Sequence, residues 1–485
     1  MGKSSKESIS SNLIWRLMER FGAQGVTFVV SIILARLLDP DVYGTVALVT
    51  VFTSIMQVFV DSGLGNALIQ KMEADDIDFS SVFYFNIVFC ILLYIFMFFL
   101  APIISNFYNR GDLVPILRVL SLTIIISGLK NVQQAYVSRN MMFKKFFFST
   151  LGGTLGAAII GIWMAYAGFG VWALVAQNLL NVLIDTIVLW FTVKWRPVKK
   201  FSFGRLKSLF SYGWKLLTAQ LVDTIYEDFR SLIIGKYYSS SDLAYYNRGK
   251  QLPQLAVTNI NTAIDSVLFP SMSMEQNNLE RVKAMTSRAV KTTSYVITPI
   301  MIGLAVCAEP LVIILLTDKW LPSVTYMRIF CFGMALTPIL LANLNAIKAI
   351  GRSDIYLKLE IVRKCVGFVT LFSMMWFGVK AIAYSYLLNC VINVIVNSMP
   401  NKKLLNYGFF EQAKDIIPSY LLSILMGALV YCVTFLNLDA VPTLSIQILL
   451  GVAIYISTSA VLKIDSFRYI YSSTFQKFNW LRKAF

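Results

Sequence analysis

The chain has 485 residues, of which 57% are hydrophobic and 14% charged, against roughly 25% charged residues in an average soluble domain. It carries a net charge of +17 and no histidine, which excludes histidine proton relays, Ser-His-Asp or Cys-His catalysis and histidine-ligated metals. The basic residues lie between apolar stretches and form no single stripe, so nucleic acid is not an expected partner. Those stretches have the length of about 20 residues that spans a bilayer, which predicts a polytopic membrane protein.

At the start of the chain, the polar residues 1–12 lack the charged, apolar and small-residue regions of a cleavable signal peptide. We therefore expect the first apolar helix to stay in the membrane. The pattern predicts an all-α protein with about 14 transmembrane helices, arranged as two homologous six-helix bundles plus two C-terminal helices around a central cavity. The predicted spans lie near 12–37, 42–68, 80–104, 113–137, 148–168, 171–193, 212–237, 250–273, 291–316, 323–349, 357–378, 380–400, 415–437 and 441–463.

An even number of spans places both termini on one side of the membrane. The loops on that side carry most of the lysine and arginine, whereas the opposite turns at 168–171 and 436–441 carry none. Because basic loops stay in the cytoplasm, we predict a multi-pass protein with cytoplasmic termini. The acidic loop 71–78 does not fit this pattern.

The two halves of the chain also share short patterns. The Gly-Val-x-Ala sequence at 170–173 recurs 208 residues later at 378–381, and Asp61 has a counterpart in Asp265. Internal repeats in a membrane protein are typical of transporters whose halves rock about a central site. The repeats predict an N-terminal half at 1–193, a basic cytoplasmic linker at 194–211, a C-terminal half at 212–400, two extra transmembrane helices at 401–463 and a basic cytoplasmic tail at 464–485.

Several segments carry a family resemblance. The stretch 12–36 runs into Leu-Leu-Asp-Pro-Asp-Val-Tyr-Gly at 37–44, and Asp-Ser-Gly-Leu-Gly follows at 61–65. Together with 136–139 and 234–246, these segments resemble Wzx-type polysaccharide exporters, which are flippases of the multidrug/oligosaccharidyl-lipid/polysaccharide superfamily. The resemblance spans the whole chain and identifies the superfamily better than the cargo.

This resemblance implies the transport of an oligosaccharide repeat unit, linked to undecaprenyl diphosphate, from the inner to the outer leaflet of the bacterial inner membrane. The cargo would serve the biosynthesis of O-antigen, capsule or exopolysaccharide. The implied partners are the lipid-linked oligosaccharide, membrane lipids, a polysaccharide polymerase and glycosyltransferases. We expect alternating access, no cofactor or metal, and coupling to a proton or Na⁺ gradient.

Burying a charged residue inside a transmembrane span costs free energy, so such residues usually face a cavity or a partner. In the first span, Arg16, Glu19 and Arg20 lie on one helix face, which Gln24 continues. Two guanidinium groups suit a diphosphate, because their planar forks bind paired phosphate oxygens. The alternative is that Arg16 and Arg20 reach the cytoplasmic headgroups, as lysine and arginine near helix ends do.

The seventh span has a similar polar face. Asp223, Glu227 and Arg230 are spaced by four and three residues and therefore share one helix face. Asp228 lies off that face. Carboxylates that face a cavity can take up protons or Na⁺ and couple transport to an ion gradient. The alternative is an internal ion pair between Glu227 and Arg230 that only neutralises buried charge.

Other intramembrane charges are less specific. Arg118 and Arg328 correspond between the halves and could extend a cationic lining, or they could lie near loop ends at the headgroups. Asp61 and Asp265 lie towards the far ends of their predicted helices, so we interpret them as outer gate or helix-cap residues.

Three further functions fit a membrane protein of this size. The first is an ion-coupled exporter of drugs or other small molecules from the same superfamily, although arginines in the first helix would repel many drug cations. The second is a flippase for a peptidoglycan precursor, which differs only in cargo. The third is a membrane polymerase or acyltransferase. Short outer loops and the lack of histidine argue against an enzyme.

Overall fold

The computed structural model describes residues 3–61, 63–71 and 73–472, apart from the side chains of 3–14, 16, 17, 20 and 212. Regular structure in this part of the chain is helical, which confirms the predicted all-α class. Contacts divide the chain into two compact units, residues 1–244 and 245–485.

The first unit contains nine helices in its described residues and the start of a tenth. They are α1 (Lys3–Leu37), α2 (Pro40–Asp61), α3 (Leu64–Gln70), α4 (Asp76–Tyr108), α5 (Leu113–Leu120), α6 (Leu122–Arg139), α7 (Phe143–Tyr166), α8 (Val171–Thr192), α9 (Phe203–Tyr237) and α10 (Ser240–Met274).

The second unit contains the rest of α10 and the helices that follow it. They are α11 (Leu279–Val306), α12 (Ala308–Leu316), α13 (Ser323–Met334), α14 (Thr337–Ala349), α15 (Ser353–Met374), α16 (Val379–Leu405), α17 (Phe409–Cys432) and α18 (Ala440–Val461). Residues 465–472 form a further helical segment.

Within the described ranges, ten helical segments are long and apolar enough to cross a membrane. The other four predicted spans correspond to α1, α9, α10 and α15, which are helical but more polar. The total of 14 spans therefore stays a prediction. The predicted spans 42–68, 113–137, 291–316 and 323–349 each contain two α-helices. Within 113–137, α5 ends before Ser121, and within 323–349, α13 ends before Ala335. Equivalent breaks in both units agree with the repeat seen in the sequence.

The repeated Gly-Val-x-Ala pattern has one structural role in both units. Gly170 precedes α8 with a φ of 54°, and Gly378 precedes α16 with a φ of 100°. Residues with a Cβ rarely adopt such positive φ values. The pattern therefore marks the turn that starts the sixth predicted helix of each half.

The contacts of α9 group it with the first unit, although we predicted it as the first helix of the second half. A Cβ on Gly235 of α9 would lie 1.9 Å from Leu48 Cδ2 of α2, so the two helices approach as closely as glycine permits. Ser54 of α2 also donates a hydrogen bond of 2.6 Å to Asp228 of α9. The boundary between the two compact units therefore lies after Ala244 and not before α9. The homology of the predicted halves stays a prediction.

The predicted linker is shorter and more ordered than its composition indicates. α9 already begins at Phe203, and the preceding segment 193–202 is attached to the start of α4. The backbone amides of Val198 and Ser202 donate to the hydroxyls of Ser80 and Ser81, each over 2.9 Å. The segment therefore belongs to the first unit and is not a free tether.

The acidic loop before α4 acts as a helix cap. Asp75 accepts hydrogen bonds from the backbone amides of Ile77 and Asp78, and Asp78 accepts one from Asp75 N. Lys71 and Arg205 pair with these carboxylates, at 2.7 Å to Asp78 and 2.5 Å to Asp75. Acidic side chains favour the positive end of the helix dipole, which explains their place in this loop.

Candidate functional site

A pocket of about 370 Å³ opens on one face of α10 in the second unit. Its polar side chains recur every three or four residues, so they project from the same side of the helix. We name it the polar pocket. Its lining includes Gln254, Thr258, Asn261, Thr262 and Asp265 from α10, Thr337 from α14 and Tyr386 from α16.

Asp265 is the charged residue in the lining of this pocket. Its carboxylate accepts a hydrogen bond of 2.5 Å from the side-chain amide of Asn345 on α14. Asp265 lies within α10, which ends at Met274, close to the predicted end of this span at 273. Its interpretation as an outer gate or helix-cap residue stays a prediction.

Asp61 has the equivalent partner in the first unit. Its carboxylate accepts hydrogen bonds from Asn131 of α6 and from Gln57, both at 3.3 Å. On the preceding residue of α6, the Lys130 ammonium lies 3.0 Å from the Asp185 carboxylate of α8. The first unit therefore contains a largely buried ion pair beside its Asp–Asn pair.

Arg118 and Arg328 each donate to a backbone carbonyl of an earlier helix in the same unit, α4 for Arg118 and α11 for Arg328. Arg118 Nε donates to Phe98 O over 3.4 Å, and the guanidinium stacks on the Phe98 ring at 3.8 Å. Pro102 has no amide hydrogen to offer this carbonyl, so Arg118 supplies the missing donor. Arg328 Nε donates to Ala305 O over 3.2 Å.

The Ala305 carbonyl lies in the last turn of α11, where no helical amide follows in the same helix. Arg328 also lies 3.7 Å from the Glu309 carboxylate at the start of α12. The described contacts of Arg118 and Arg328 thus serve helix breaks. Their predicted part in a cationic lining stays a prediction.

The acidic cluster on α9 divides into exposed and packed members. Asp223 and Glu227 are exposed, whereas Asp228 is half-buried and accepts the hydrogen bond from Ser54. Arg230 is buried, with its guanidinium 5.6 Å from the Tyr226 ring. Asp223 and Glu227 are therefore less buried within the described chain than Asp228 and Arg230 are.

The predicted diphosphate site on α1 is only partly described. The side chains of Arg16 and Arg20 lie outside the described residues, whereas Glu19 and Gln24 are half-buried. Trp15 packs against Phe147 of α7, with ring centroids 5.4 Å apart. This contact attaches one face of α1 to α7 within the first unit.

A second cavity in the C-terminal unit is apolar. It has a volume of about 450 Å³ and lies between α11, α17 and α18. We name it the apolar groove. Its lining includes Pro299, Ile300, Gly303 and Leu304 from α11, Met426 and Val430 from α17, and Ile448, Gly451, Val452 and Tyr455 from α18. A Cβ on Gly303 would meet no atom within 4 Å, so a side chain at this position would enter open space.

A hydrogen-bonded cluster closes the groove towards the start of α11. Tyr455 donates to Tyr295 O over 2.8 Å, and the Tyr295 hydroxyl donates to Ser459 over 2.8 Å. Tyr295 O lies four residues before Pro299, which cannot donate to it. The tyrosine hydroxyl therefore satisfies a carbonyl that the helix leaves unpaired.

Sequence reasoning missed the polar pocket and the apolar groove. The spacing of Thr258, Asn261, Thr262 and Asp265 was a usable signal, since it matches a helix face. The apolar groove left no signal, because its lining residues resemble those that face lipid.

Comparison with known proteins identifies the family. Residues 33–325 match the family described as "Polysaccharide biosynthesis protein". The chain is 25% identical over 315 residues to the succinoglycan biosynthesis transport protein ExoT of Rhizobium meliloti (strain 1021), a match that spans 65% of this chain and 64% of that relative. It is 23% identical to the teichuronic acid biosynthesis protein TuaB of Bacillus subtilis (strain 168), over 83% of this chain and 85% of that one.

A solved structure of the lipid II flippase MurJ superposes with a TM-score of 0.76, at 16% identity, over 93% of this chain and 99% of that chain. At this identity the likeness shows a shared fold. The resemblance to polysaccharide exporters is thus confirmed at the level of family and fold. The chain belongs to the polysaccharide biosynthesis protein family and is a multi-pass membrane protein with the fold of the MurJ flippase.

Proposed function

We propose that the protein moves an oligosaccharide repeat unit, linked to undecaprenyl diphosphate, from the inner to the outer leaflet of the bacterial cytoplasmic membrane. The product would supply O-antigen, capsule or exopolysaccharide synthesis. The family match and the relatives named for succinoglycan transport and teichuronic acid biosynthesis support this cargo class. Transport needs no covalent step, so we propose that the protein is not an enzyme.

The observation that carries the proposal is the pair of cavities in the C-terminal unit. The polar pocket offers amides, hydroxyls, one carboxylate and the Tyr386 ring, which suit the hydroxyl groups and the apolar face of a sugar. The apolar groove offers almost no polar atom and suits a hydrocarbon chain. A cargo with a saccharide head and a prenyl tail combines both chemistries.

The remaining assignments follow from the charges. Arg16 and Arg20 would hold the diphosphate, with Gln24 beside them, because guanidinium forks match phosphate oxygens. Glu19, Asp223, Glu227 and Asp228 would take part in coupling to a proton or Na⁺ gradient, with Arg230 tuning them. The units would alternate access about the membrane, with both termini in the cytoplasm and a polymerase and glycosyltransferases as neighbours.

The groove can be tested by filling it. Gly303→Phe and Ile448→Trp place large side chains into the groove, and Leu449→Trp places one on the 72% exposed neighbour outside its lining. We expect the first two variants to leave lipid-linked oligosaccharide in the inner leaflet at normal protein abundance. Labelling with a membrane-impermeant saccharide reagent measures this sidedness. Normal export in both groove variants, or an equal loss in Leu449→Trp, would contradict the proposal.

The same assay tests ion coupling and cargo. Glu227→Gln removes an exposed carboxylate, so export should depend less on the proton or Na⁺ gradient than in the unmodified protein. An unchanged dependence removes Glu227 from the coupling role.

Depletion that traps a peptidoglycan precursor, and not a polysaccharide unit, would establish the second candidate, which the MurJ-like fold favours. Normal sidedness of all lipid-linked sugars would favour small-molecule export.

A further inference from the structure

A third pocket in the C-terminal unit has a different chemistry. It has a volume of about 460 Å³ and lies between the first turns of α11 and the helical segment 465–472. We name it the basic pocket. Its lining comprises Ala284, Ser287, Arg288, Lys291 and Thr292 from α11, and Asp465, Ser466 and Tyr469 from the segment 465–472. The proposed transport pathway uses none of these residues.

One of the two cations in the basic pocket is already neutralised. The Lys291 ammonium lies 3.1 Å from Asp415, which also accepts hydrogen bonds from Ser287 over 2.6 Å and from Tyr407 over 2.7 Å. Burial, together with the hydrogen bond to Asp415, raises the pKa of Tyr407, so its hydroxyl stays a donor. Asp415 therefore has three partners and balances the charge of Lys291.

Arg288 is the cation that remains available. Its guanidinium lies 4.4 Å from the Tyr469 ring, in a cation–π contact. Among the described residues, no carboxylate lies close enough to form an ion pair with it. The ring holds one face of the guanidinium, which leaves its edge, with the N–H donors, free to meet a ligand.

The position of the pocket indicates the membrane surface. Its residues follow the end of α18 and precede the groove-lining part of α11. The cluster of Tyr295, Tyr455 and Ser459 lies between the two cavities along these helices. The basic pocket is thus separate from the apolar groove and lies where spanning helices emerge towards the lipid headgroups.

We propose that the basic pocket binds the phosphate ester headgroup of a membrane phospholipid, from the leaflet next to residues 465–472. Arg288 would bind two phosphate oxygens, and the hydroxyls of Thr292 and Ser466 would donate to the others. Asp465 would repel a purely anionic ligand but would accept an ammonium group. Phosphatidylethanolamine, which carries both charges, complements Arg288 and Asp465 together. This site is independent of the proposed cargo.

Native mass spectrometry of the purified full-length protein tests the site. The unmodified protein and Arg288→Gln are titrated with phosphatidylethanolamine, and a diacyl glycolipid without phosphate serves as the comparison lipid. Loss of one charge-assisted hydrogen-bond pair should weaken phospholipid binding about ten- to hundredfold and leave glycolipid binding unchanged. Arg281→Gln is the matched control, since Arg281 lies on the same helix and pairs with Glu275 over 2.6 Å outside the pocket.

Each outcome decides the proposal. Equal phospholipid binding by Arg288→Gln and the unmodified protein would overturn it, and so would an equal loss in Arg281→Gln, which would indicate general surface charge. Soluble O-phosphoethanolamine that binds as tightly as the lipid would support a phosphate site but overturn its membrane source. If Arg288→Gln does not fold, Thr292→Val removes one donor without a charge change and should weaken phospholipid binding severalfold.

Discussion

The two units of the chain contain the same Asp–Asn pair in different surroundings. In the first unit Asn131 of α6 donates to Asp61 of α2, and in the second unit Asn345 of α14 donates to Asp265 of α10. The residue before Asn131 is Lys130, which pairs with Asp185, whereas the residue before Asn345 is Leu344. The first unit thus has an ion pair next to its Asp–Asn pair, whereas the second unit has a neutral residue at the corresponding position.

The difference extends along the sixth predicted helix of each half. Asn393 lies 208 residues after Asp185, which is the spacing of the repeated glycine turns. On α16 a buried polar residue recurs at every fourth position. At the equivalent positions of the first unit, the last two residues are apolar. The α16 series is Ser385, Asn389, Asn393, Asn397 and Asn401, and its counterparts are Gln177, Asn181, Asp185 and Leu189 on α8 and Val193 directly after it.

This comparison teaches that a common scaffold can hold its intramembrane polar groups in two ways. An ion pair between α6 and α8 holds the first unit at one defined contact, since separating the pair would leave a buried charge. The second unit instead uses neutral amides, which need no counter-charge, and it leaves Asp265 at the edge of an open pocket. Apart from Asp265, the lining of this pocket is neutral, and its amides and hydroxyls can hydrogen-bond an uncharged sugar.

The largest expected effect comes from breaking the ion pair. Lys130→Leu gives the first unit the residue that the second unit has at 344, but it leaves Asp185 without its cation. Both side chains are at least four-fifths buried, with exposures of 16% and 10%. We expect a loss of about 3–5 kcal/mol in the free energy of unfolding, seen as a lower melting temperature of the purified protein.

The double variant Lys130→Leu/Asp185→Asn is the matched control, because it copies the neutral pair of the second unit. Its melting temperature should recover most of the loss, since no unpaired charge remains. A double variant as unstable as the single one would show that the two units do not use interchangeable solutions.

An intermediate effect is expected in the amide series of the second unit. The Asn343 and Gln412 side chains exchange hydrogen bonds of 2.8 Å and 2.9 Å, and Asn401 donates to Asn343 over 2.6 Å. Gln412→Leu leaves the buried Asn343 Nδ2 without its acceptor, although Asn401 still donates to Asn343. The substitution should lower the free energy of unfolding by about 1–3 kcal/mol, measured by thermal melting.

Asn397→Leu is the contrasting change on the same helix series. Asn397 is buried, and neither of its amide atoms has a hydrogen-bond partner among the described residues. Leu189 stands at the equivalent position of the first unit. The melting temperature should therefore stay the same or rise. A loss as large as that of Gln412→Leu would show that Asn397 has a partner of its own.

The smallest effect concerns the exposed cap of α4 in the first unit. The hydrogen bond from Arg205 lowers the pKa of Asp75 from 3.8 to about 2. Because the folded pKa lies below the unfolded one, the stabilisation is present above about pH 4 and is lost as the pH falls towards 2. Arg205→Gln should remove this part of the pH dependence.

The measurement is the melting temperature between pH 5 and pH 2.5 in the unmodified protein and the Arg205→Gln variant. The two curves should converge at the acidic end, and their separation at pH 5 should be small, since exposed ion pairs contribute little. A separation that grows on acidification would contradict the assigned role of Asp75.

Part of the site was predictable from the sequence. The correspondence of Asp61 and Asp265 follows from their spacing, and both accept hydrogen bonds from an asparagine. Their partners were not predictable, since Asn131 and Asn345 are separated by a different interval. The contacts of Arg118 and Arg328 were missed for another reason. A free carbonyl such as Phe98 O becomes visible only when the helix around Pro102 is known to continue.

The sequence by itself determined that the chain is helical and multi-pass, and it predicted the glycine turns that the two units share. Apolar length and glycine turns are local properties, and a bilayer leaves few other ways to satisfy the backbone. Only the tertiary structure decided that Lys130 meets Asp185, that α9 packs with the first unit, and that the C-terminal unit contains a polar pocket and an apolar groove. These contacts depend on how each helix is rotated about its own axis against its neighbours. The helices are strongly apolar, so their polar faces are too weak to predict that rotation from the sequence.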